Sequence, residues 1–295
     1  MNKILITGVA GFLGSNLAKK LLEDDNNLIF GLDNLAYSKM TNIYPLLKSD
    51  RFNFIEANLL SDNITHFCDC VYHMAGCGDD SAYFDNKYDF TIDTIKITNN
   101  ILNYASSCGS KIIIPVSYVD YSPHNNQFFI KYDTSRLIQD LVQEYSINHH
   151  LDCKIAKITT GYGENMNNDD NRFISKTIIS AFNNETIKID YDRSDYFTFS
   201  ADITNALIAI MNTYCDRNVI EISQPNLHLK SDIAKLIINF TKSKSQLKIL
   251  NQEIYHPSYK PNIQTLNNEI NFRCSVPILE GMNRTINYFK KIYFS

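Results

Sequence analysis

The fold is decided by the stretch Lys3-Ile4-Leu5-Ile6-Thr7-Gly8-Val9-Ala10-Gly11-Phe12-Leu13-Gly14. Residues 3–7 have the length and branched apolar side chains of a buried parallel strand, and residues 15–22 repeat apolar residues at helical spacing. The three glycines therefore lie at a strand-to-helix turn. Gly8 permits the tight turn, Gly11 lets a phosphate approach the backbone, and Gly14 lets the helix pack on the strand. A pyrophosphate can then bind at the helix N-terminus.

A second apolar run, residues 28–32, ends at Asp33, close to the distance at which an acidic side chain binds the adenosine ribose hydroxyls. Asp33 would repel a 2'-phosphate, and no Arg follows it immediately. The pattern therefore predicts NAD as the cofactor. The alternative is an ordinary glycine-rich turn in an α/β protein.

Composition narrows the class of protein. The chain has 295 residues, 44% of them hydrophobic, enough for one large or two modest domains with a substantial core. Its net charge of -4 provides no basic field for nucleic acid, so we expect no nucleic-acid partner. An anionic ligand must be bound by local Arg, Lys or backbone groups.

Seven cysteines are present, with neither a CxxC pair nor a metal-ligand spacing with His. They indicate reduced, mostly buried thiols in the cytoplasm and no metal site. The sequence has no signal-peptide core, and no apolar run reaches membrane-spanning length, so we expect a cytoplasmic protein with no membrane segment. The cysteines are Cys68, Cys70, Cys77, Cys108, Cys153, Cys215 and Cys274.

Strand and helix patterns alternate through the first part of the chain. Strands are predicted at residues 3–7, 28–32, 52–56, 70–75, 111–117 and 153–158, and helices at 15–22, 38–48, 82–107 and 132–149. This alternation predicts an α/β fold with a Rossmann-type, doubly wound parallel sheet. Ligands of such sheets bind beyond the carboxyl ends of the strands.

The organisation changes after Thr160. Residues 165–171 predict a polar surface loop, and a helix at 202–214 and a strand at 218–222 return to the sheet. A helix at 231–241 with Ser231 as its cap, and a closing helix at 279–291, complete the pattern. We therefore expect a dinucleotide-binding domain of residues 1–160 and 202–222, with a smaller discontinuous substrate-binding lobe of residues 161–201 and 223–295.

A second group of candidate residues is Ser117, Tyr132 and Arg136. Ser117 closes a predicted strand and Tyr132 begins the next helix, at the sheet edge that carries the glycine turn; Arg136 follows four residues later on the same helical face. Hydride transfer from an alcohol needs a base whose pKa is lowered by a neighbouring cation, and a Tyr beside an Arg meets this need. The alternative is a Tyr and an Arg on a surface helix without function.

Further motifs continue this pattern: Leu32-Asp33-Asn34-Leu35, Asn58-Leu59, His73-Met74-Ala75-Gly76, Ser117 before Asp120-Tyr121-Ser122, Tyr132-Asp133-Thr134-Ser135-Arg136, and Lys157-Ile158-Thr159-Thr160-Gly161-Tyr162-Gly163. Together with the glycine turn they resemble the extended short-chain dehydrogenase/reductases of the NAD-dependent nucleotide-sugar epimerase/dehydratase family. The resemblance runs over nearly the whole chain.

The resemblance implies roles for individual residues. Ser117, Tyr132 and Arg136 would be catalytic, and Ser117 and Thr160 would contact a nucleotide-diphosphate sugar. Arg172, Lys176 and Lys260 are candidate ligands of its diphosphate, or else solvated surface cations. The implied NAD contacts come from Gly8, Gly11, Phe12, Leu13, Gly14, Asp33, Asn34, Asn58, Leu59, Met74, Ala75, Gly76, Pro115, Tyr132, Arg136 and Ile158.

The chain also departs from the family pattern. Arg136 replaces a Lys, Thr160 replaces a substrate-contacting Asn, and Asp195 stands where the family usually has an Arg near the diphosphate. The segment between Ser117 and Tyr132 is about ten residues shorter than is common in the family. These departures affect the chemistry and the substrate more than the cofactor.

The residues after Ser117 separate the possible reactions. Dehydratases of the family have Asp-Glu at this point and decarboxylases have Glu at the second place, whereas this chain has Tyr118 and Val119. A 4-epimerase or 4-ketoreductase is therefore the leading prediction. The alternatives are a dehydratase or decarboxylase, and a catalytically impaired relative that binds NAD or a partner.

The resemblance also implies an oligomeric state. Relatives often dimerise through two helices, so a homodimer through residues 82–107 and 132–149 is expected.

Overall fold

The computed structural model describes residues 1–76, 87–118, 129–169, 171–255, 257 and 259–294. Within these, the backbone alone is described for residues 87, 129–133, 252, 253 and 255. The strands are β1 (Asn2–Thr7), β2 (Asn27–Asp33), β3 (Phe52–Glu56), β4 (Cys70–His73), β5 (Lys111–Ser117), β6 (Cys153–Ile158), β7 (Thr160–Tyr162), β8 (Ile187–Phe199), β9 (Val219–Ile222), β10 (Leu227–Leu229) and β11 (Leu247–Tyr255). The helices are α1 (Phe12–Leu21), α2 (Lys87–Cys108), α3 (Phe129–Asn148), α4 (Phe173–Phe182), α5 (Ser200–Asn212), α6 (Lys230–Thr241) and α7 (Ile278–Tyr293).

Seven parallel strands form the main sheet, in the order β3-β2-β1-β4-β5-β6-β9. The chain first moves outward from β1 through β2 to β3, and then returns to pair β4 on the other side of β1. The strand order therefore reverses at β1, and the carboxyl ends of β1 and β4 flank the crevice where such sheets bind ligands. The predicted doubly wound α/β fold is confirmed.

Apolar side chains on both faces of this sheet explain why the strands read as continuous hydrophobic runs. Ile4 and Ile6 of β1 pack into one layer with residues of α1 and α5, such as Leu17 and Ile203. Leu5, between them, packs into the opposite layer with residues of α2 and α3. Each such buried side chain contributes about 1.5–3 kcal/mol of hydrophobic stabilisation, so the sheet is held from both sides.

A second sheet is built around the long strand β8, which pairs with β11, β10 and β7. Its core contains Phe197 and Phe199 of β8 together with residues of α4, α6 and α7, such as Ile178, Ile237 and Phe289. The division of the chain at residues 160, 201 and 222 into two lobes stays a prediction.

Most predicted elements lie within a few residues of the observed ones, but the helix predicted at 38–48 is wrong. Two short 3-10 turns, Met40–Asn42 and Leu46–Lys48, occupy this segment. Pro45 immediately precedes the second turn. Because proline has no N–H and disfavours helical conformation in the residue before it, a continuous helix does not form.

Three smaller predictions are also corrected. Ser231 is not the cap of its helix, because α6 begins at Lys230 and the Ser231 N–H donates to the buried Asp192 carboxylate at 3.0 Å. The segment 165–171 is not wholly on the surface. Met166 is 1% exposed, and its sulfur accepts a hydrogen bond from the Gly163 N–H. The strand predicted at 70–75 ends at His73.

Candidate active site

The glycine turn after β1 is closed so tightly that side chains are excluded. Gly8 has a φ of +66°, and a Cβ placed there would lie 2.7 Å from the Ala75 nitrogen. A Cβ on Gly14 would lie 2.2 Å from the Gly8 carbonyl oxygen. The turn after β1, the first turn of α1 and the residues after β4 are therefore in direct contact at the strand-order reversal.

The N-terminus of α1 has the features of an anion site. Gly11 is its N-cap residue, with no side-chain cap and no acidic residue in the first turn. The first N–H groups of a helix have no partner within it, and the helix dipole favours negative charge there. A Cβ on Gly11 would lie 3.2 Å from the Gly8 carbonyl oxygen, a tight contact. These residues fit a pyrophosphate that approaches the backbone closely.

Asp33, at the carboxyl end of β2, is 7% exposed and held in a fixed orientation. Its Oδ2 accepts a hydrogen bond from the Ala10 N–H at 2.9 Å, and its Oδ1 accepts from the Leu35 N–H at 2.9 Å and the Ser38 hydroxyl at 2.8 Å. An ionised carboxylate has about four acceptor positions, so one remains for a ribose hydroxyl. The site therefore fits NAD and disfavours a 2'-phosphate.

Other residues predicted to contact the cofactor shape the surrounding backbone. The side-chain oxygen of Asn34 accepts from the Ala36 N–H at 3.1 Å, and that of Asn58 accepts from the Leu60 N–H at 3.0 Å. Both amides thus stabilise turns at the sheet edge. Leu59 is buried nearby.

The family-like segment at the end of β4 contains a histidine, His73, whose structural role is not evident from the sequence. His73 is fully buried, with its Nδ1 2.7 Å from the Thr7 Oγ1 and its Nε2 3.4 Å from the Thr98 Oγ1. The Thr7 hydroxyl also accepts from the Ala75 N–H at 3.3 Å. Burial lowers the pKa of His73 to about 3, so the imidazole is neutral. It links β1, β4 and α2 beside the glycine turn.

The residues after this histidine and those at the start of α1 surround the glycine turn. Met74 is buried, and Gly76 has a φ of +83°. Phe12 and Leu13, at the start of α1, are partly buried against different apolar clusters, Leu13 against that of the main sheet and Phe12 against that of the second sheet.

Ser117 lies where the sequence analysis expected it, as the exposed last residue of β5 opposite Ile158 of β6. Pro115 is buried two residues earlier, beyond the last β4–β5 pair at Tyr72 and Ile113. Its missing N–H therefore removes no hydrogen bond to β4. The strand thus delivers Ser117 to the carboxyl edge of the sheet.

Tyr132 and Arg136 both lie on α3. The Arg136 side chain is exposed, and α3 contacts α2 through the hydroxyls of Thr134 and Thr91, 3.4 Å apart. The side chain of Tyr132 and residues 119–128 lie outside the described part of the chain. The catalytic group of Ser117, Tyr132 and Arg136 therefore stays a prediction.

Tyr118, directly after Ser117, is held in an aromatic and charged cluster. Its ring stacks on that of Tyr259 with 4.3 Å between the centroids, and the Lys157 Nζ lies 4.8 Å from its centroid. Lys157 also lies 3.9 Å from a Glu221 carboxylate oxygen. Burial, followed by the neighbouring Glu221, raises the pKa of Tyr259. The Tyr118 side chain is thus engaged in packing.

Thr160, the first residue of β7, donates a hydrogen bond to the Asp195 Oδ2 at 2.6 Å. The Asp195 Oδ1 accepts from the Tyr196 N–H at 2.8 Å, and an Arg193 nitrogen lies 3.7 Å from the Oδ2. The Asp195 carboxylate is therefore surrounded by donors. Arg193 had not been identified from the sequence, because its proximity to Thr160 depends on the pairing of β7 with β8.

The three predicted diphosphate ligands lie in different places. Arg172 is the N-cap residue of α4, and its guanidinium carbon lies 4.9 Å from the centroid of the Phe12 ring. This contact places it beside the glycine turn. Lys176 is exposed one turn further along α4, and Lys260 is exposed after β11.

The described residues contain neither a metal cluster nor a membrane span. No group of three or more His, Cys, Asp or Glu is positioned to hold a metal ion within the ranges that the structure covers. None of the helices described here combines the length and apolar character needed to cross a bilayer. Cys68, Cys153 and Cys215 are buried free thiols, and Cys70, Cys108 and Cys274 are partly exposed free thiols. Cys77 lies outside the described residues.

Comparison with known proteins identifies the family of the chain. The model of the NAD dependent epimerase/dehydratase family matches residues 4–222. UDP-glucuronic acid decarboxylase 1 of Xenopus tropicalis is 25% identical over 308 residues, covering 98% of this chain and 72% of the relative. UDP-glucuronic acid decarboxylase 3 of Arabidopsis thaliana is 26% identical over 280 residues, covering 88% of this chain and 81% of the relative.

Solved structures show the same fold. UDP-glucuronic acid 4-epimerase from Bacillus cereus, in complex with UDP-glucuronic acid and NAD, has a TM-score of 0.85 at 22% identity, covering 99% of this chain and 100% of the other. UDP-N-acetylglucosamine 4-epimerase from Methanobrevibacter ruminantium has a TM-score of 0.85 at 19% identity, covering 98% of each chain. The family match spans most of this chain and includes the glycine turn and Asp33. The chain therefore belongs to the NAD dependent epimerase/dehydratase family, and the predicted cofactor, NAD, is the cofactor of that family.

Proposed function

We propose that this protein is an NAD-dependent nucleotide-sugar 4-epimerase or 4-ketoreductase. The observation that carries the proposal is the position of Ser117. It is the exposed end of β5, at the same sheet edge as the glycine turn after β1, with only β4 between the two strands. A sugar bound at this edge would place one ring carbon between the Ser117 hydroxyl and the reactive end of a dinucleotide that lies on α1.

The proposed chemistry divides the work among three side chains. Ser117 holds the sugar C4 hydroxyl, and Tyr132 accepts its proton while the C4 hydrogen leaves as hydride. Arg136 lowers the Tyr132 pKa through its positive charge. Bound NAD supplies the hydride acceptor. An epimerase returns the hydride to the opposite face of the 4-keto sugar, whereas a ketoreductase begins with the 4-keto sugar and reduced cofactor.

The names of the similar proteins suggest which sugar to test first. The two relatives described above are UDP-glucuronic acid decarboxylases, and a solved structure of the same fold is a UDP-glucuronic acid 4-epimerase. These names have UDP-glucuronic acid in common. We therefore propose a UDP-linked uronic acid as the first candidate substrate.

Decarboxylation is the second candidate, and the relatives at 25–26% identity favour it. The residues after Ser117 favour epimerisation or reduction instead. The Tyr118 ring is packed against Tyr259 and Lys157, and Val119 provides no acid or base. The same two residues argue against a dehydratase, which needs an acid and a base at this point.

The experiment is to incubate the protein with NAD and UDP-glucuronic acid and to follow the products by NMR. The C4 epimer would support the leading proposal, whereas a UDP-pentose with release of CO2 would show decarboxylation. UDP-, dTDP-, GDP- and CDP-hexoses and their 4-keto forms with NADH should follow, with the Tyr132→Phe variant as the inactive control. If NAD binds and none of these sugars is converted, the enzymatic proposal fails and a binding role for the NAD-loaded protein replaces it.

We also propose a homodimer formed through α2 and α3, which contact one another. Large apolar side chains are exposed on both helices, including Tyr88 of α2 and Leu137 and Ile147 of α3. Burial of such side chains between two copies would remove apolar surface from water.

A further inference from the structure

Arg193 and Asp195 form a charged pair on the second sheet that the proposed catalytic group does not use. They are two residues apart on β8, so their side chains lie on one face of the sheet. An Arg193 terminal nitrogen lies 3.7 Å from the Asp195 Oδ2, which also accepts the 2.6 Å hydrogen bond from Thr160. The pair is therefore fixed to the first residue of β7.

One donor of this arginine has no partner in the part of the chain that the structure describes. Among the described residues, the Arg193 Nε is buried and has no hydrogen-bond acceptor, although the side chain as a whole is 32% exposed. A buried N–H without an acceptor is unfavourable, and native proteins rarely leave one. A guanidinium presents its donors as a planar fork that matches the oxygen atoms of a phosphate.

The position of the pair connects it to the proposed active site. Thr160 follows the end of β6 by two residues, and Ile158 at that end is opposite Ser117 of β5. Arg193 is thus connected, through Asp195 and Thr160, to the end of the main sheet that carries Ser117. Arg172 instead lies against Phe12 of the glycine turn, while Lys176 and Lys260 are exposed.

We propose that Arg193 binds the diphosphate of the nucleotide-sugar substrate, in an orientation set by Asp195 and Thr160; this inference rests on the proposed function. A carboxylate at position 195 would by itself repel a diphosphate. Its charge is compensated by the Thr160 hydroxyl, the Tyr196 N–H and Arg193. The carboxylate acts as a positioning group for the arginine and does not simply repel the diphosphate.

The test is calorimetric titration of the NAD-loaded protein with UDP and with uridine, in the wild type and in R193Q and R193K. The matched control is R217Q. Arg217 also lies 3.7 Å from a carboxylate oxygen, in this case of Glu269, but its side chain is exposed. R193Q is expected to weaken UDP binding on the order of tenfold or more and to leave uridine binding unchanged. R193K, which keeps the charge and loses the fork, should have an intermediate affinity, and R217Q should match the wild type.

The outcomes separate this inference from the proposed function. Unchanged UDP affinity in both R193Q and R193K overturns the role of Arg193 and leaves the nucleotide-sugar proposal standing. Failure of the NAD-loaded wild type to bind UDP, dTDP, GDP or CDP overturns both. Thermal unfolding and NAD affinity of each variant show whether it is folded. If R193Q is not folded, the UDP affinity of R193K compared with that of the wild type tests the role of Arg193.

Discussion

The imidazole Nδ1 of His73 lies 2.7 Å from the hydroxyl oxygen of Thr7, which joins the carboxyl ends of β4 and β1 where the strand order reverses. Sixty-six positions separate the two residues along the chain. Because Thr7 precedes the glycine turn and His73 precedes the turn that contacts Gly8, this hydrogen bond holds the two walls of the dinucleotide crevice together.

The buried histidine predicts a pH-dependent stability. Burial lowers its pKa from 6.5 to about 3, so below pH 6.5 the unfolded chain binds a proton that the folded chain does not. The free energy of unfolding should therefore decrease as the pH falls from 6.5 toward 3, by at most about 1.4 kcal/mol per pH unit from this group. Urea unfolding of the wild type and His73→Gln across this range measures the effect.

The His73→Gln variant should have a free energy of unfolding about 1–3 kcal/mol below that of the wild type near neutral pH, because Thr7 loses its partner. The free energy of unfolding of His73→Gln should also depend less on pH than that of the wild type. His149→Gln, which removes an exposed imidazole that stacks on the ring of Tyr145, is the matched control. An unchanged slope in His73→Gln would contradict the assignment.

Substitutions at two glycines should have different effects, one on cofactor affinity and the other on stability. Gly11→Ala places a methyl group 3.2 Å from the Gly8 carbonyl oxygen, where a pyrophosphate would approach α1, and should weaken NAD binding on the order of tenfold or more. Gly109→Ala adds a methyl group in open space at a φ of +66°, and should cost about 1–2 kcal/mol of stability with NAD affinity unchanged. Titration with NAD and thermal unfolding of both variants test the crossed pattern. A similar loss of affinity in both would show that the Gly11 effect is not local.

The charge of Asp33 should set the preference for NAD over NADP. Asp33→Asn keeps an acceptor for the Ala10 N–H and removes the negative charge beside the ribose position. NADP binding should strengthen relative to NAD binding by about tenfold or more, since a 2'-phosphate is no longer repelled. The ratio of the two dissociation constants is the measurement. Asp25→Asn, an exposed partner of Arg51, is the control and should leave the ratio unchanged.

Local pattern was enough to predict the elements that carry the crevice. The glycine turn, Asp33 and the end of β5 at Ser117 depend on short runs of sequence, and the structure places them as expected. The predicted helix at 38–48 failed for a local reason, since Pro45 interrupts it. The conformational restriction at the proline outweighs the helical spacing of the apolar residues around it.

Contacts between residues that are far apart in the chain were not predictable in the same way. The Ser231 N–H is capped by Asp192, 39 residues earlier, and the Thr160 hydroxyl binds Asp195 because β7 pairs with β8. The His73 motif was recognised by resemblance, but its hydrogen bond to Thr7 depends on the pairing of β1 with β4. Such partners follow from strand order, which a single sequence does not specify.

The proposed dimer predicts a selective effect of charge on α3. Leu137→Asp introduces a carboxylate at a 47% exposed position, so the folded monomer should tolerate it, whereas burial between two copies would be costly. Sedimentation velocity should show a dimer for the wild type and a monomer for the variant. Leu279→Asp, at a 57% exposed position on α7, should remain dimeric. A wild type that is monomeric at all concentrations would contradict the proposal.

The catalytic group predicts different effects of changes at its two helical members. Tyr132→Phe removes the proton acceptor and should lower kcat by about 10²–10⁴-fold, with NAD affinity little changed. Arg136→Lys keeps a cation on the exposed face of α3 and should retain measurable activity, with a shifted pH profile because a Lys and an Arg affect the Tyr132 pKa differently.

A third variant, Arg136→Gln, distinguishes charge from packing. Without a cation the Tyr132 pKa should rise. The increase of kcat with pH should therefore occur at a higher pH than in the wild type and in Arg136→Lys. The pH dependence of kcat in the three proteins, with the sugar that proves to be converted, is the measurement. If Tyr132→Phe keeps full activity, Tyr132 is not the acid/base. If Arg136→Gln has the wild-type pH profile, the cation does not act on the phenol, and the Arg-for-Lys replacement has removed that function.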